Sequence, residues 1–147
     1  MLIQILIGIG MTAITIVIGS LIIVVTTEQL QKNRDWLSSG HLLVRHVVAL
    51  TLITTWLVVG LLVVMGLWAL ALYVLEIFSE LEPALYFSMI SFTTLGFGDV
   101  ILPDQWRLLS GFIAMDGFIL FGLNTAFLFE VLRRLREENH VQKRRQN

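Results

Sequence analysis

The sequence of 147 residues has no cysteine, only two prolines, and little charge: Asp, Glu, Lys and Arg make up 14% of it. Without cysteine there is no disulfide scaffold, no zinc–thiolate site and no thiol nucleophile. Soluble domains carry roughly 25% charged residues, so the low charge excludes both an ordinary soluble enzyme and a disordered tail. There is no Gly-x-Ser-x-Gly elbow, and none of the three histidines falls inside a long charge-free run. A nucleophile–base pair or metal centre within the apolar segments therefore lacks its components, and neither an enzyme nor a cofactor is expected. The net charge of −1 gives no basis for a nucleic-acid partner.

What the sequence has in abundance is apolar length. Hydrophobic residues make up 56% of it; residues 2–25 and 47–75 contain no charge, and residues 108–129 contain one, Asp116. A bilayer core about 30 Å thick needs about 20 apolar residues in a helix, so each run can span it. Barrel strands would need polar–apolar alternation, which these runs do not have. The expected fold is an all-α membrane protein forming a single membrane domain over 1–147. It has an N-terminal transmembrane helix at 1–25, a loop at 26–46, a second helix at 47–78, a re-entrant helix at 83–93, a glycine-rich loop at 94–99, a third helix at 107–132 and a tail at 133–147. Residues 1–25 read as a retained helix, because they lack a basic n-region and no small-x-small cleavage site follows. There is no internal repeat and no low-complexity tract.

Orientation follows from Lys and Arg. Lys32, Arg34 and Arg45 lie between the first two runs, and Arg133, Arg134, Arg136, Lys143, Arg144 and Arg145 follow the third. Between the second and third runs Arg107 stands alone against Glu76, Glu80, Glu82, Asp99 and Asp104. The positive-inside rule puts 26–46 and the C-terminus in the cytoplasm and the N-terminus outside, in the cell (inner) membrane. Trp36 and Trp106 fall near the interfaces. His41, His46 and His140 fall on the cytoplasmic side, where protonation near pH 6.5 can act, although interfacial histidines are usually passive. The basic tail suits anionic headgroups or plain topological anchoring. The tail, of about fifteen residues, is expected to hold no soluble regulatory domain.

Residues 83–93 read Pro-Ala-Leu-Tyr-Phe-Ser-Met-Ile-Ser-Phe-Thr. Pro83 suits the first turn of a helix, and Glu80 and Glu82 suit its positive end; solubilisation and capping explain these acids equally well. About eleven residues make a helix of roughly 16 Å, half a membrane, and the alternate glycines that follow end it. Non-helical backbone survives at membrane depth only when buried in protein or lining a polar pathway.

The run Thr93-Thr94-Leu95-Gly96-Phe97-Gly98-Asp99 resembles the potassium-channel signature, which reads Thr-Val-Gly-Tyr-Gly-Asp in many members and has Gly-Phe-Gly in others. Residues 117–126, Gly-Phe-Ile-Leu-Phe-Gly-Leu-Asn-Thr-Ala, are similar to the inner helix of two-transmembrane bacterial potassium channels. The run Tyr86-Phe87-Ser88, the pair Trp106-Arg107 and the preceding extra span look like a group of small bacterial ion channels. The resemblance covers roughly a third of the chain, from about residue 82 to 128.

That resemblance implies a potassium-selective channel whose filter replaces the ion's water shell with rings of backbone carbonyls. Thr94, Leu95, Gly96 and Phe97 would supply the rings, with the Thr94 hydroxyl adding the innermost one. Gly96 and Gly98 take the mirror-image conformations that aim the carbonyls at one axis. One chain carries one filter strand, so four identical chains must surround the axis in the lipid bilayer. The resemblance also places Thr93, Tyr86 and Asp99 in support of the filter, with a hydrogen bond from Tyr86 to Asp99. Ile90 stands where some relatives carry a second acid. Two departures, Leu95 for a β-branched residue and Phe97 for tyrosine, point toward a looser filter. A weakly selective cation channel is thus an alternative, as is a non-conducting accessory subunit.

On the third run, Phe121, Thr125, Leu128 and Leu132 form one helical stripe, which the resemblance puts on the cavity, with Asn124 and Thr125 as its lower polar residues. Gly117 matches the family's hinge glycine, and close packing explains a glycine there equally well. Asp116 lies about 140° from Phe121 at ~100° per residue, off the stripe, so a buried contact with Ser88 or Ser91 is expected. A cation-attracting role for it is the alternative. No run carries arginine at every third position, so no voltage sensor is visible. The extra N-terminal helix is expected to pack outside the second span.

Overall fold

The computed structural model describes residues 1–32 and 42–146, with 31, 42, 43, 45, 46 and 135–146 described for their backbone alone. Trp36 and His41 lie outside the described residues, as do the side chains of Arg45, His46 and His140. The described residues form four α-helices and one 3₁₀ turn: α1 (Leu2–Lys32), α2 (Leu42–Val74), α3 (Leu81–Phe92), a turn at Asp104–Trp106, and α4 (Leu108–Gln146). Helices long and apolar enough to cross a membrane cover Leu2–Leu30, Val47–Val74 and Asp104–Arg134. α3, with 12 residues, is about 18 Å long and reaches only half way through a bilayer.

The helices end where backbone hydrogen bonding ends them, which is not where hydropathy changes. α2 stops at Val74, short of the expected 78, because Glu76 takes a left-handed φ of 55°. The Ile77 N–H then donates to the Leu72 carbonyl at 3.1 Å and the Glu76 N–H to that of Tyr73 at 3.0 Å, a Schellman motif with Glu in the place usually taken by Gly. α3 begins at Leu81, two residues before Pro83, because any position in a first turn tolerates a missing N–H. α1 runs on to Lys32, past the expected loop start at 26, and α4 runs to Gln146, through the expected tail at 133–147. Thr26 and Thr27 extend α1 by donating to the Ile22 and Ile23 carbonyls, and Glu130 pairs with Arg133 and Arg134 along α4. These helices continue past the apolar boundary because interfacial polar residues satisfy themselves within the helix.

α1 lies along α4 and does not sit only outside α2, as the sequence suggested. Gln4 accepts from the Leu108 N–H at 3.3 Å, Gly8 lies against Phe112, Thr15 reaches Asp116, and Gly19 lies against Leu120. Residue numbers rise together along both helices, so α1 and α4 run parallel. α2 runs antiparallel to them, with Gly60 against Ile22 and Trp68 against Asp116. Small residues permit this approach, which is how helices associate where no hydrophobic effect drives them together. The main core gathers Val64, Trp68, Leu72, Phe92, Leu109, Ile113 and Leu120 around α3, and a second cluster joins Ala49, Ile53, Leu57 and Val131 toward the other end.

Candidate functional site

The site begins at the C-terminus of α3. A helix end leaves four carbonyls without helical partners, and here three of them, Met89, Ile90 and Ser91, accept hydrogen bonds from the loop that follows. Met89 accepts from the Thr93 N–H at 3.0 Å and from Thr93 Oγ1 at 2.8 Å; Ser91 accepts from the Thr94 N–H at 2.9 Å. Ile90 accepts from the N–H groups of both Leu95 and Gly96, at 2.9 and 3.1 Å. The Phe92 carbonyl oxygen faces the Gly117 backbone of α4, where a Cβ would have to go. Ile90 cannot offer a side-chain acid, yet its carbonyl anchors the start of the glycine-rich loop.

The backbone of that loop alternates in hand. Thr94, Gly96 and Gly98 take φ values of 58°, 48° and 78°, with Leu95 and Phe97 between them. Gly96 and Gly98 adopt this region freely, but Thr94 is β-branched and pays for it in conformational strain. Nothing in the residue type of Thr94 announces this conformation. Its cause is the Schellman closure of α3, in which the Leu95 N–H reaches back to Ile90 and the Thr94 N–H to Ser91.

Tyr86 Oη donates to Asp99 Oδ2 at 2.6 Å, fastening the far end of the loop to α3. The bond holds the Asp99 carboxyl below its ordinary 3.8 and the Tyr86 hydroxyl above its ordinary 10.0. The contribution from Asp99 is full above pH 3.8 and is lost as pH falls through its lowered pKa. The contribution from Tyr86 is full below pH 10.0 and is lost as pH rises through its raised pKa. Tyr86→Phe is therefore expected to lower the thermal stability of the loop's assembly by an amount that stays constant between these limits. The gap should close under stronger acid or alkali, and a gap that titrates near neutrality would contradict the assignment.

Residues 93–99 are all exposed in the single chain, with Leu95 at 56% and Phe97 at 68%, and nothing lies within 4 Å of where a Cβ on Gly96 or Gly98 would stand. The exposed face of α4 continues this bare surface through Met115, Phe118, Phe121, Gly122, Thr125 and Phe129. Phe118 at 78% and Phe129 at 69% are its most exposed members, and the sequence stripe missed both. Phe121 is exposed and packs edge-on against Phe92, with ring centroids 5.7 Å apart; Thr125 is exposed and bonds back to the Phe121 carbonyl. Leu128 instead packs on the Ala49, Ile53, Leu57 and Val131 cluster, Leu132 is half-buried, and Asn124 lines a cleft with Gly19 and Gly60. The small residues of α1 and α2 draw that side of α4 inward, which turns the bare face toward Phe118 and Phe129.

Asp116 is fully buried, off the bare face as its angle implied, but its partners are neither Ser88 nor Ser91. Its Oδ2 accepts from Thr15 Oγ1 and from Trp68 Nε1, each at 2.7 Å. Ser88 is already engaged, donating to the Met65 carbonyl at 2.7 Å. Nothing in the sequence singles out Thr15 among the threonines of α1, because the pairing depends on how the helices dock.

Membrane-length helices packed around a half-length helix and an uncovered glycine-rich loop define a multi-pass membrane protein with the pore fold of ion channels. A family model described as ion channel matches residues 52–134, more than half of the chain. The chain belongs to that family, and α1 lies outside the matched stretch. No curated protein and no solved structure matches it.

Proposed function

We propose that the chain forms a homotetrameric potassium channel of the cell (inner) membrane. Potassium passes down its gradient through rings formed by the carbonyls of Thr94, Leu95, Gly96 and Phe97, and it is the permeant ion, not a cofactor. The observation that carries this reading is the bare, alternating backbone of residues 93–99. Non-helical backbone at membrane depth requires protein or a water-filled path beside it, and one chain provides neither. Four copies around an axis supply both at once, with each strand's outer side resting on its own α3 and its inner side on the ion path. Thr93, Tyr86, Gly98 and Asp99 hold the strand's shape, and the partial negative charge at the α3 C-terminus favours a cation beneath it.

The exposed face of α4, with Phe118, Phe121, Gly122, Thr125 and Phe129, lines the cavity below the filter or meets the neighbouring copy. The parallel course of α1 and α4 supports an outside N-terminus: both helices then start on the acidic side and end among the basic residues. Phe97 favours one second reading, a weakly selective cation pore, because it lacks the hydroxyl by which tyrosine would brace the strand.

Planar-bilayer recording of the purified protein tests both readings. Unitary currents that reverse close to the potassium equilibrium potential under opposed potassium and sodium gradients are expected. Reversal midway between the two potentials would favour the weakly selective pore, and absence of unitary current would overturn the channel reading.

A further inference from the structure

We propose that Asp116 is a positioning residue for the filter and that α1 acts through it as part of the pore wall. The inference rests on the channel reading above and adds to it a role for the helix that lies outside the family match.

Three contacts close a circuit through α2, α3 and α4, and a fourth joins α1 to it. Ser88 ties α3 to the Met65 carbonyl of α2 at 2.7 Å. One turn further along α2, Trp68 Nε1 donates to Asp116 of α4 at 2.7 Å. The next residue of α4, Gly117, backs directly onto the Phe92 carbonyl at the end of α3, two residues before Thr94. Thr15 of α1 joins at the same carboxyl oxygen as Trp68, at 2.7 Å. Thr15 Oγ1 also lies 2.9 Å from the Met11 and Thr12 carbonyl oxygens, but it has a single proton to donate and the carboxyl oxygen is the nearest of the three acceptors. One atom, Asp116 Oδ2, thus fixes α1, α2 and α4 relative to one another within a residue of the point where α4 supports the filter's foundation.

The chemistry of the joint argues against a plain anchor. A buried carboxyl group in a membrane helix costs free energy that an apolar residue of similar volume would not, and its best-attested use is to select one register among several packings. Asp116 Oδ1 and Thr12 Oγ1 are both buried without a hydrogen-bond partner among the described residues, so the site forgoes part of the possible satisfaction. Because interiors are close-packed, a shift of α4 at this level is transmitted to Phe92 and is not absorbed locally.

The test uses the full-length protein in planar bilayers. Thr15→Val keeps the shape of the side chain and removes the donor; Asp116→Asn keeps an acceptor oxygen; Asp116→Leu removes it. Loss of the net contribution of one hydrogen bond is expected to lower the open probability of Thr15→Val about two- to twelvefold. Asp116→Leu should lower it further and move the reversal potential toward that of sodium, and Asp116→Asn should restore most of both. A purely structural anchor would change the yield of assembled protein and leave open probability and reversal potential untouched. Wild-type values of both in Thr15→Val would overturn the proposal, and that variant decides alone if Asp116→Leu fails to assemble. A wild-type protein without current strikes the channel reading; a conducting wild type with unaffected variants strikes this inference only.

Discussion

Alanine in place of Gly117 is expected to push α4 away from α3 and to abolish the assembled, conducting form. The added methyl has nowhere to go, because its position coincides with the Phe92 carbonyl oxygen, with the Phe92 ring beside it at 3.1 Å. A flexible side chain could swing aside, but this obstacle is backbone at a helix end whose other carbonyls are already engaged. Overpacking a well-filled core costs about 1–3 kcal/mol, and a backbone obstacle puts this substitution at the upper end of that range. Gly66→Ala makes the comparison, since nothing lies within 4 Å of its added methyl. Thermal unfolding in detergent should show a clear loss for Gly117→Ala and little change for Gly66→Ala. A stable, assembling Gly117→Ala would mean that the close approach of α4 to α3 is misplaced.

The second large effect is expected at Gly96, where the fold should survive and the current should not. At φ 48° any other L-residue carries a conformational cost of about 1–2 kcal/mol. Within the chain the methyl meets no atom inside 4 Å, so no clash obscures the result. Gly96→Ala should therefore keep its helix content and its assembly. If that cost falls on the conducting conformation of the strand, its population drops roughly five- to thirtyfold. Normal unitary conductance in this variant would mean that the left-handed conformation at Gly96 has no part in conduction.

Much of the architecture could be read from the sequence because membrane helices are set by length and apolarity, which are properties of single segments. The three charge-free or nearly charge-free runs fall in the three membrane-length helices, and the glycine spacing of 96 and 98 falls on left-handed backbone. Tyr86 and Asp99 were paired by their resemblance to a known signature and lie 2.6 Å apart. The helix ends were not readable, since Glu76 and Thr94 take left-handed conformations that neither residue type advertises. Helix docking was not readable either. An aspartate in a span announces that donors must be nearby, but Thr15 and Trp68 become its donors only once α1 lies along α4. The same docking decides that Leu128 turns inward while Phe118 and Phe129 stay bare.

The most direct measurement is crystallographic: anomalous scattering from thallium(I), a heavy stand-in for potassium, in crystals of the assembled protein. The expected result is a row of peaks on a four-fold axis, spaced between successive carbonyl rings of residues 94–97. Loops that lie apart from one another, with no peak among them, would contradict the account.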